Sequence, residues 1–317
     1  MTKTNATLSE KNGPECHVGR RSFMQIAGGM SAAALMSTFA ASATQAGSGT
    51  TGKYTLQRNG VPVDVSSLKT LAFAGFAHAT YFQVRNSQVR GIDLHLKRLR
   101  EASMKMFGAS LPDEQIQNYM RAAIEAGPPD LSLMATVFSP TGEFTVGGAN
   151  DTPEILVGTV GPSSGPSGPL SLAIVEYERD LPEVKHVGEV GKTYYMRQAV
   201  AQGFDDAAFM DRHGRLSEGT IWNLAFWDGE AVIWPKAAML LGTSMSIVRR
   251  QLDRLGIPQR TQEVTLEDLP KMSGAVVMNS WTPGIPVNRI GSVAIPEAPK
   301  FLELLHQAFK EETPTSL

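Results

Sequence analysis

The stretch that decides the fold is Leu181–Gly229, which reads LPEVKHVGEVGKTYYMRQAVAQGFDDAAFMDRHGRLSEGTIWNLAFWDG. It follows an apolar run, Leu170–Tyr177, that predicts a strand. A lysine that ends an apolar strand at a domain junction is partly desolvated, which lowers its pKa and favours the free amine that forms Schiff bases. Lys185 is therefore the candidate nucleophile, although a surface position is the commoner fate of any single lysine.

A lone glutamate stands later in the same stretch. Glu218 lies between a predicted turn and a predicted strand at Asn223–Trp227. A buried carboxylate needs a partner, because an unpaired charge is costly to bury. Glu218 is expected to pair either with the protonated ring nitrogen of a bound cofactor or with a structural arginine.

A run of small residues, Leu240–Ser244, precedes a helix predicted at Ser246–Leu255. The free backbone N–H groups at such a helix start bind anions. A plain N-cap by Ser244 or Ser246 explains the same residues equally well. The pattern alone leaves both interpretations open.

The remainder of the chain predicts an α+β protein of two domains. Residues 53–160 form a smaller N-terminal domain with an Asn59-Gly60 hairpin, aromatic strands and two helices, at His95–Phe107 and Gln115–Glu125. Residues 161–169, GPSSGPSGP, are almost entirely Gly, Pro and Ser and predict an interdomain linker. Residues 170–317 form a larger, strand-rich C-terminal domain.

The first 46 residues contain, in order, the segments that are typical of an export signal. A polar segment leads to Gly19-Arg20-Arg21-Ser22-Phe23, which resembles the twin-arginine motif, and an Ala-rich apolar run leads to cleavage near Ala43 or Ala46. We therefore expect an exported, periplasmic bacterial protein without a membrane anchor after cleavage.

Composition excludes several classes of function. The 317 residues carry a formal net charge of −2, so no basic field indicates nucleic acid. The only cysteine, Cys16, lies in the predicted export segment, which excludes thiol chemistry in the mature chain. The six histidines show no HxH or HExxH spacing, so no metal site is expected.

Five short motifs, taken in order, resemble the fold-type IV, or class IV, aminotransferases. This family includes branched-chain and D-amino-acid aminotransferases and aminodeoxychorismate lyase. The motifs are His95-Leu96-Lys97-Arg98-Leu99, the lysine Lys185, Glu218-Gly219 followed by Asn223-Leu224, Leu240–Ser244, and Ser280 followed by Pro286-Val287. Each motif is short, but their common order is typical of the family and spans nearly the whole chain after the export segment.

The resemblance implies a two-domain fold-type IV enzyme that uses pyridoxal 5'-phosphate (PLP). Lys185 would hold the cofactor as a Schiff base and act as the catalytic base, and Glu218 would face the pyridine nitrogen. The phosphate would bind four residues: Arg98, Thr243, Ser244 and Ser280. The implied reaction transfers an amino group between an amino acid and a 2-oxo acid, and the family commonly forms homodimers.

Lys192 is the rival for the cofactor lysine, because Lys192-Thr193-Tyr194-Tyr195 mimics the lysine-x-x-Asn-Tyr run of the family. Lys185 lies 218 − 185 = 33 residues before Glu218, near the family interval, whereas Lys192 lies 218 − 192 = 26 residues before it. The resemblance therefore favours Lys185.

The sequence departs from the family in its substrate pocket. Met245 replaces the arginine of the LxGxTR run, and Leu131–Ala135 offers no carboxylate-binding arginine. A standard branched-chain pocket is therefore not expected. Two alternatives remain: a PLP-dependent lyase that catalyses β-elimination, and an exported protein of the same fold that binds a small molecule without turnover.

Overall fold

The computed structural model describes residues 54–65, 68, 74–144 and 152–317. The predicted export segment lies outside the described residues, as do parts of the strand regions predicted at Leu71–Val84 and Phe144–Val146. In the described part of the chain, no helix combines the length and the apolar character needed to cross a membrane.

The first sheet has five strands in the order β2-β1-β6-β5-β3, and each neighbouring pair is antiparallel. Its strands are β1 (Leu56–Arg58), β2 (Val61–Pro62), β3 (Ala77–Val84), β5 (Leu131–Phe138) and β6 (Glu154–Val160). The predicted Asn59-Gly60 hairpin is confirmed: both residues have positive φ, 49° and 80°, as the tight turn between β1 and β2 requires. β3 lies at the edge of this sheet, which leaves one side of it open to the rest of the chain.

Two helices cover the first sheet: α1 (Ile92–Phe107) and α2 (Asp113–Glu125). α1 begins after Gly91 and ends before Gly108, both in the left-handed region that favours glycine. A short strand β4 (Val89–Arg90) precedes it and pairs with β16 (Pro314–Thr315). Leu96, Leu99 and Phe107 are buried against the sheet, as the helical spacing of apolar residues predicts. Both helices start earlier than predicted, because first-turn residues need no apolar periodicity.

The second sheet is larger and mixed. Its strands are β7 (Leu170–Glu176), β8 (Asp206–Met210), β9 (Leu216–Gly219), β10 (Asn223–Trp227), β11 (Val232–Pro235), β12 (Gln259–Gln262), β13 (Gly274–Asn279), β14 (Thr282–Ile290) and β15 (Val293–Ala294). The order is β12-β11-β10-β13-β14-β7-β8-β9, and β15 pairs with β14. β9 also pairs with β10, at Glu218 and Asn223, so six strands close into a ring around an apolar core.

Three helices pack on the second sheet: α3 (Val190–Ala201), α4 (Thr243–Arg254) and α5 (Pro299–Glu311). α3 contacts β7 and β8, and α4 packs on β13 and β14 beside α5. The α+β architecture with a larger, strand-rich C-terminal part is therefore confirmed. No helix or strand lies between Val160 and Leu170, where the domain linker was predicted.

The segment after β7 joins the two sheets. The Ala79 N–H donates to the Lys185 carbonyl at 2.9 Å, and the Val187 N–H donates to the Ala77 carbonyl at 2.7 Å. This segment thereby pairs with the open edge of β3. The lysine was predicted at a strand end, but β7 ends at Glu176, and Lys185 lies in an irregular crossing segment. The apolar run before Lys185 could not reveal this pairing, because β3 lies about 100 residues earlier in the sequence.

Candidate active site

Lys185 lies between the two sheets, held by its backbone pairing with β3. Its Nζ atom stands 5.2 Å from the centre of the Tyr81 ring, which projects from the same strand. Burial lowers the pKa of the Lys185 amine to about 7, and the positive charges of Lys192, Arg98 and Arg179 contribute to this shift. Much of the Lys185 population therefore carries a free amine at neutral pH, as a nucleophilic lysine requires.

This lowered pKa predicts the pH dependence of Lys185 reactivity. Below pH 7 the amine is protonated and inert, so labelling of the apo-protein with acetic anhydride should rise with pH and level off above about pH 8. Mass spectrometry of the Lys185 peptide measures the midpoint, and the peptide of the exposed Lys97 is followed in the same samples as a reference. A rate that climbs tenfold per pH unit up to pH 9 would mean that Lys185 is an ordinary surface lysine.

Glu218 is buried where the ring of six strands closes. Only 4% of the residue is exposed, and its Oε1 lies 3.4 Å from NH1 of Arg179. Burial raises the pKa of Glu218, whereas Lys192, Arg179 and the Leu240 backbone N–H favour the charged carboxylate. The arginine partner considered from the sequence is thus present, as Arg179. Arg179 contacts the Oε1 atom of Glu218.

The start of α4 provides free backbone donors beside this carboxylate. The helix begins at Thr243, not at Ser246 as predicted, and its N-cap is Gly242. A Cβ at Gly242 would meet Oδ1 of Asn223 at 2.0 Å, so only glycine permits this close approach. Asn223 donates from Nδ2 to the Leu240 carbonyl at 2.7 Å and fixes the loop that leads into the helix.

Thr243 and Ser244 therefore occupy the first turn of α4 and do not cap a later helix. Both residues are buried, with exposures of 6% and 5%. The backbone N–H groups of a first helical turn have no partner within the helix, and the helix dipole adds partial positive charge there. Together with the two hydroxyls, this turn presents donors of the kind that bind anions.

Arg98 reaches this turn from α1. Its NH2 donates to the Leu241 carbonyl at 2.8 Å, and no carboxylate of the described residues forms an ion pair with it. Burial lowers the pKa of Arg98 to about 10, and the nearby charge of Arg179 contributes to the same shift. Arg98 therefore remains a cation at neutral pH and is available to an anionic ligand.

Ser280, the last of the four residues predicted to bind phosphate, lies in the tight connection between β13 and β14. It lines the same cleft as Arg98, Lys185 and Thr243. The cavity volume of this cleft is about 80 Å³. Ser244 does not line this cleft. It lines a neighbouring cleft, which shares Thr243 and Ser280 with the first.

Replacing Arg98 with methionine is expected to weaken PLP binding. A charge-assisted hydrogen bond to a ligand contributes about 1.5–3 kcal/mol, so the dissociation constant should rise by about 10- to 100-fold. Fluorescence titration of the apo-protein with PLP measures the change. Arg100→Met is the matched control, since Arg100 lies on the exposed face of the same helix and pairs with Asp113. Unchanged affinity in Arg98→Met would contradict the phosphate contact predicted for Arg98.

Sequence reasoning missed the contact between Arg179 and Glu189, and it missed the position of Lys192 beside them. Arg179 donates from Nε to Oε1 of Glu189 at 2.8 Å, and Nζ of Lys192 lies 3.6 Å from the same oxygen. The spacing of three between Glu189 and Lys192, at the start of a helix, was the available signal. Lys192 had been considered only as a rival to Lys185.

Comparisons with known proteins identify the family of this chain. The family model described as Amino-transferase class IV matches residues 32–290. The chain belongs to the class IV aminotransferase family. A search of curated proteins finds no match.

Solved structures of class IV enzymes share the fold. A branched-chain aminotransferase from Thermoproteus uzoniensis with norvaline has a TM-score of 0.73 and 17% identity, over 83% of this chain and 99% of that chain. A branched-chain amino acid aminotransferase from Escherichia coli has a TM-score of 0.71 and 17% identity, over 82% and 93%. A putative 4-amino-4-deoxychorismate lyase from Legionella pneumophila has a TM-score of 0.66 and 17% identity, over 75% and 92%.

Class IV aminotransferases are PLP-dependent, so the cofactor of this chain is PLP. The charges of the site fit it. With Lys185 neutral, three cations, Arg98, Arg179 and Lys192, stand against the carboxylates of Glu189 and Glu218. The cation left over among these described residues is Arg98, which lies beside the free N–H groups of α4. Arg98 is partly buried, and an excess of positive charge at that point fits a phosphate group.

Proposed function

We propose that this chain is an aminotransferase that moves an amino group between an amino acid and a 2-oxo acid. One observation carries the proposal: a partly buried lysine with a pKa lowered to about 7 shares a cleft with an arginine that has no carboxylate partner among the described residues. The first provides an amine that is reactive at neutral pH. The second provides an anchor for the cofactor phosphate in the same cleft.

Each residue has a role in this proposal. Arg98, Thr243, Ser244 and Ser280 would hold the phosphate. Glu218 would hold a proton on the pyridine nitrogen by ion pairing. When bound, PLP supplies an electron-withdrawing ring that stabilises negative charge at the substrate α-carbon.

Lys185 would perform two tasks through one atom. Its Nζ would hold the cofactor, and its free amine would take the proton from the substrate α-carbon. The lowered pKa suits this second task, because a base works best when its pKa lies near the operating pH. The Tyr81 ring packs against the amine and helps to exclude water from it.

The lining of the cleft supports apolar or small amino donors. Tyr81, Leu133, Ile221 and Trp281 provide apolar surface, whereas Gln83, Ser132 and Asn279 provide uncharged polar groups. Among the described residues that line this cleft, the cations are Arg98 and Lys185, both already assigned to the cofactor. A substrate with a second carboxylate therefore gains no cationic partner from this wall of the cleft.

A product assay tests the proposal against its rivals. The PLP-loaded protein is incubated with a panel of amino acids, with and without a 2-oxo acid acceptor. Formation of a new amino acid only when the acceptor is present supports an aminotransferase. Pyruvate released without an acceptor supports the lyase alternative, which the likeness to the Legionella structure favours. Absence of any turnover, with PLP bound, supports the binding-protein alternative.

Two further proposals concern assembly and location. We propose a homodimer, as is common in the family, and light scattering of the purified protein measures its mass. We also propose export through the twin-arginine route, on the basis of Arg20-Arg21 and the apolar run that follows. Fractionation of expressing cells, compared with an Arg20→Lys/Arg21→Lys variant, tests the location. Equal periplasmic amounts in both would argue against this route.

A further inference from the structure

Four charged side chains lie together behind the cleft: Arg179, Glu189, Lys192 and Glu218, called here the charge quartet. Arg179, Lys192 and Glu218 are at most 8% exposed, and the Glu189 side chain is 12% exposed. Two cations face two carboxylates, so the quartet is neutral. Buried charges persist only when they are paired in this way, because an uncompensated one is strongly destabilising.

Arg179 is largely committed within the quartet. Its Nε donates to Glu189 at 2.8 Å, and its NH2 lies 2.7 Å from the same oxygen. It also donates to the carbonyls of Pro182 and Val184, at 2.6 Å and 2.8 Å. Its approach to Glu218 is longer, at 3.4 Å. Arg179 therefore neutralises Glu189 first and Glu218 only in part.

Lys192 supplies the second cation from the first turn of α3. Its Nζ lies 3.6 Å from Oε1 of Glu189, beyond normal hydrogen-bond length, so the ammonium is not locked onto that carboxylate. Lys192 and Arg179 both favour the charged form of Glu218, against the effect of burial, which raises the pKa of this carboxyl group. Burial lowers the pKa of Lys192, whereas Glu218 and Glu189 raise it. Lys192 and Arg179 are therefore the two counter-charges of the two carboxylates.

We propose that Lys192 is a positioning residue that keeps Glu218 in its carboxylate form, ready to hold the proton on the ring nitrogen of PLP. The consequence for the ring nitrogen rests on the proposed function. The charge interaction of Lys192 with Glu218 does not need a bound cofactor. Without Lys192, the quartet would carry one uncompensated negative charge. Glu218 would then take up a proton and lose its ability to pair with a cationic ring.

The surrounding charges do not replace Lys192. His186 approaches Glu189, and not Glu218, with its Nε2 at 3.4 Å from Oε1. Lys185 and Arg98 belong to the cleft, and Tyr177 faces Glu189 and Arg179. Oε2 of Glu189 is buried and has no hydrogen-bond partner among the described residues. Loss of Lys192 would therefore leave this carboxylate less satisfied as well.

The first test is a double-mutant cycle in the apo-protein. Lys192→Met should lower the melting temperature, and the added change Glu218→Gln should recover most of that loss, because the double variant buries no unpaired carboxylate at this position. The deficit of Lys192→Met should shrink from pH 8 to pH 5. A carboxyl group whose folded pKa is raised costs stability above its unfolded pKa, and this cost disappears as the pH falls. Lys97→Met, which replaces an exposed lysine, should change neither the melting temperature nor its dependence on pH.

The second test reads the ring nitrogen directly. PLP labelled with ¹⁵N at the pyridine nitrogen is bound to each variant, and the nitrogen chemical shift reports whether it is protonated. Protonation in the unmodified protein and in Lys192→Arg, with loss in Lys192→Met, supports the proposal. A protonated nitrogen in Lys192→Met overturns it.

The outcomes also separate this inference from the proposed function. If the unmodified protein takes up no PLP, the proposed function fails, and the apo-protein cycle alone decides the inference. Additive melting shifts in that cycle, or a double variant no more stable than Lys192→Met, would show that Lys192 and Glu218 are not coupled and would overturn it.

Discussion

Lys185→Ala is expected to lower the turnover number for amino transfer by about 10³-fold or more, because it removes the cofactor attachment and the base in one change. General base catalysis alone contributes about 10²–10⁴-fold in enzymes. The cofactor is still expected to bind through its phosphate contacts, since Arg98 and the first turn of α4 are untouched. Turnover is measured with the best donor and acceptor found in the product assay.

Two controls accompany this prediction. Lys97→Ala removes an exposed lysine whose ion pair with Glu101, at 3.8 Å, contributes little, and its activity should equal that of the unmodified protein. Lys185→Arg retains a charge but not a nucleophilic amine, and should be as inactive as Lys185→Ala. Full turnover by Lys185→Ala would refute the assignment of this lysine.

Glu218→Gln is expected to lower the turnover number by about 10²-fold, the scale observed when one preorganised electrostatic group is removed from an active site. The amide keeps the shape of the side chain but cannot hold a proton on the ring nitrogen by ion pairing. The Michaelis constants for the substrates should change much less, because Glu218 lies behind the cleft and not in its open part.

The same variant decides between the two partners considered for Glu218. If Glu218 serves only as the structural partner of Arg179, Glu218→Gln should lose stability and retain its turnover number. If it serves the cofactor, turnover falls at a temperature where the variant is fully folded. Glu230→Gln is the control, since the Glu230 side chain is 85% exposed. Circular dichroism melting, run beside the kinetics, separates the two outcomes.

Much of the fold follows from local sequence. The Asn59-Gly60 turn and the apolar face of α1 were predicted correctly, since the physical causes of each act within a few residues. The long-range order was not predictable in the same way. The crossing of the Lys185 segment to β3 depends on backbone pairing with Ala77 and Ala79, and no pattern around Lys185 signals that partner.

The site shows the same division. The motifs identified Lys185, Arg98, Thr243 and Ser280, and the structure brings these side chains to one cleft. Glu218, by contrast, lies behind that cleft in the charge quartet. The sequence did not reveal that quartet, because its members come from three separate segments. The start of α4 was also misplaced: its helix was predicted from Ser246, whereas Gly242 caps it, at a point where Asn223 leaves no room for a side chain.

The measurement that most directly tests the central claim is borohydride reduction of the yellow, PLP-loaded protein, followed by peptide mapping. Reduction fixes the cofactor to the lysine that holds it. The pyridoxyl group should map to the peptide that contains Lys185, with none on Lys192. A pyridoxyl group on Lys192, or a protein that cannot be loaded with PLP, would contradict the assignment of Lys185 as the cofactor lysine.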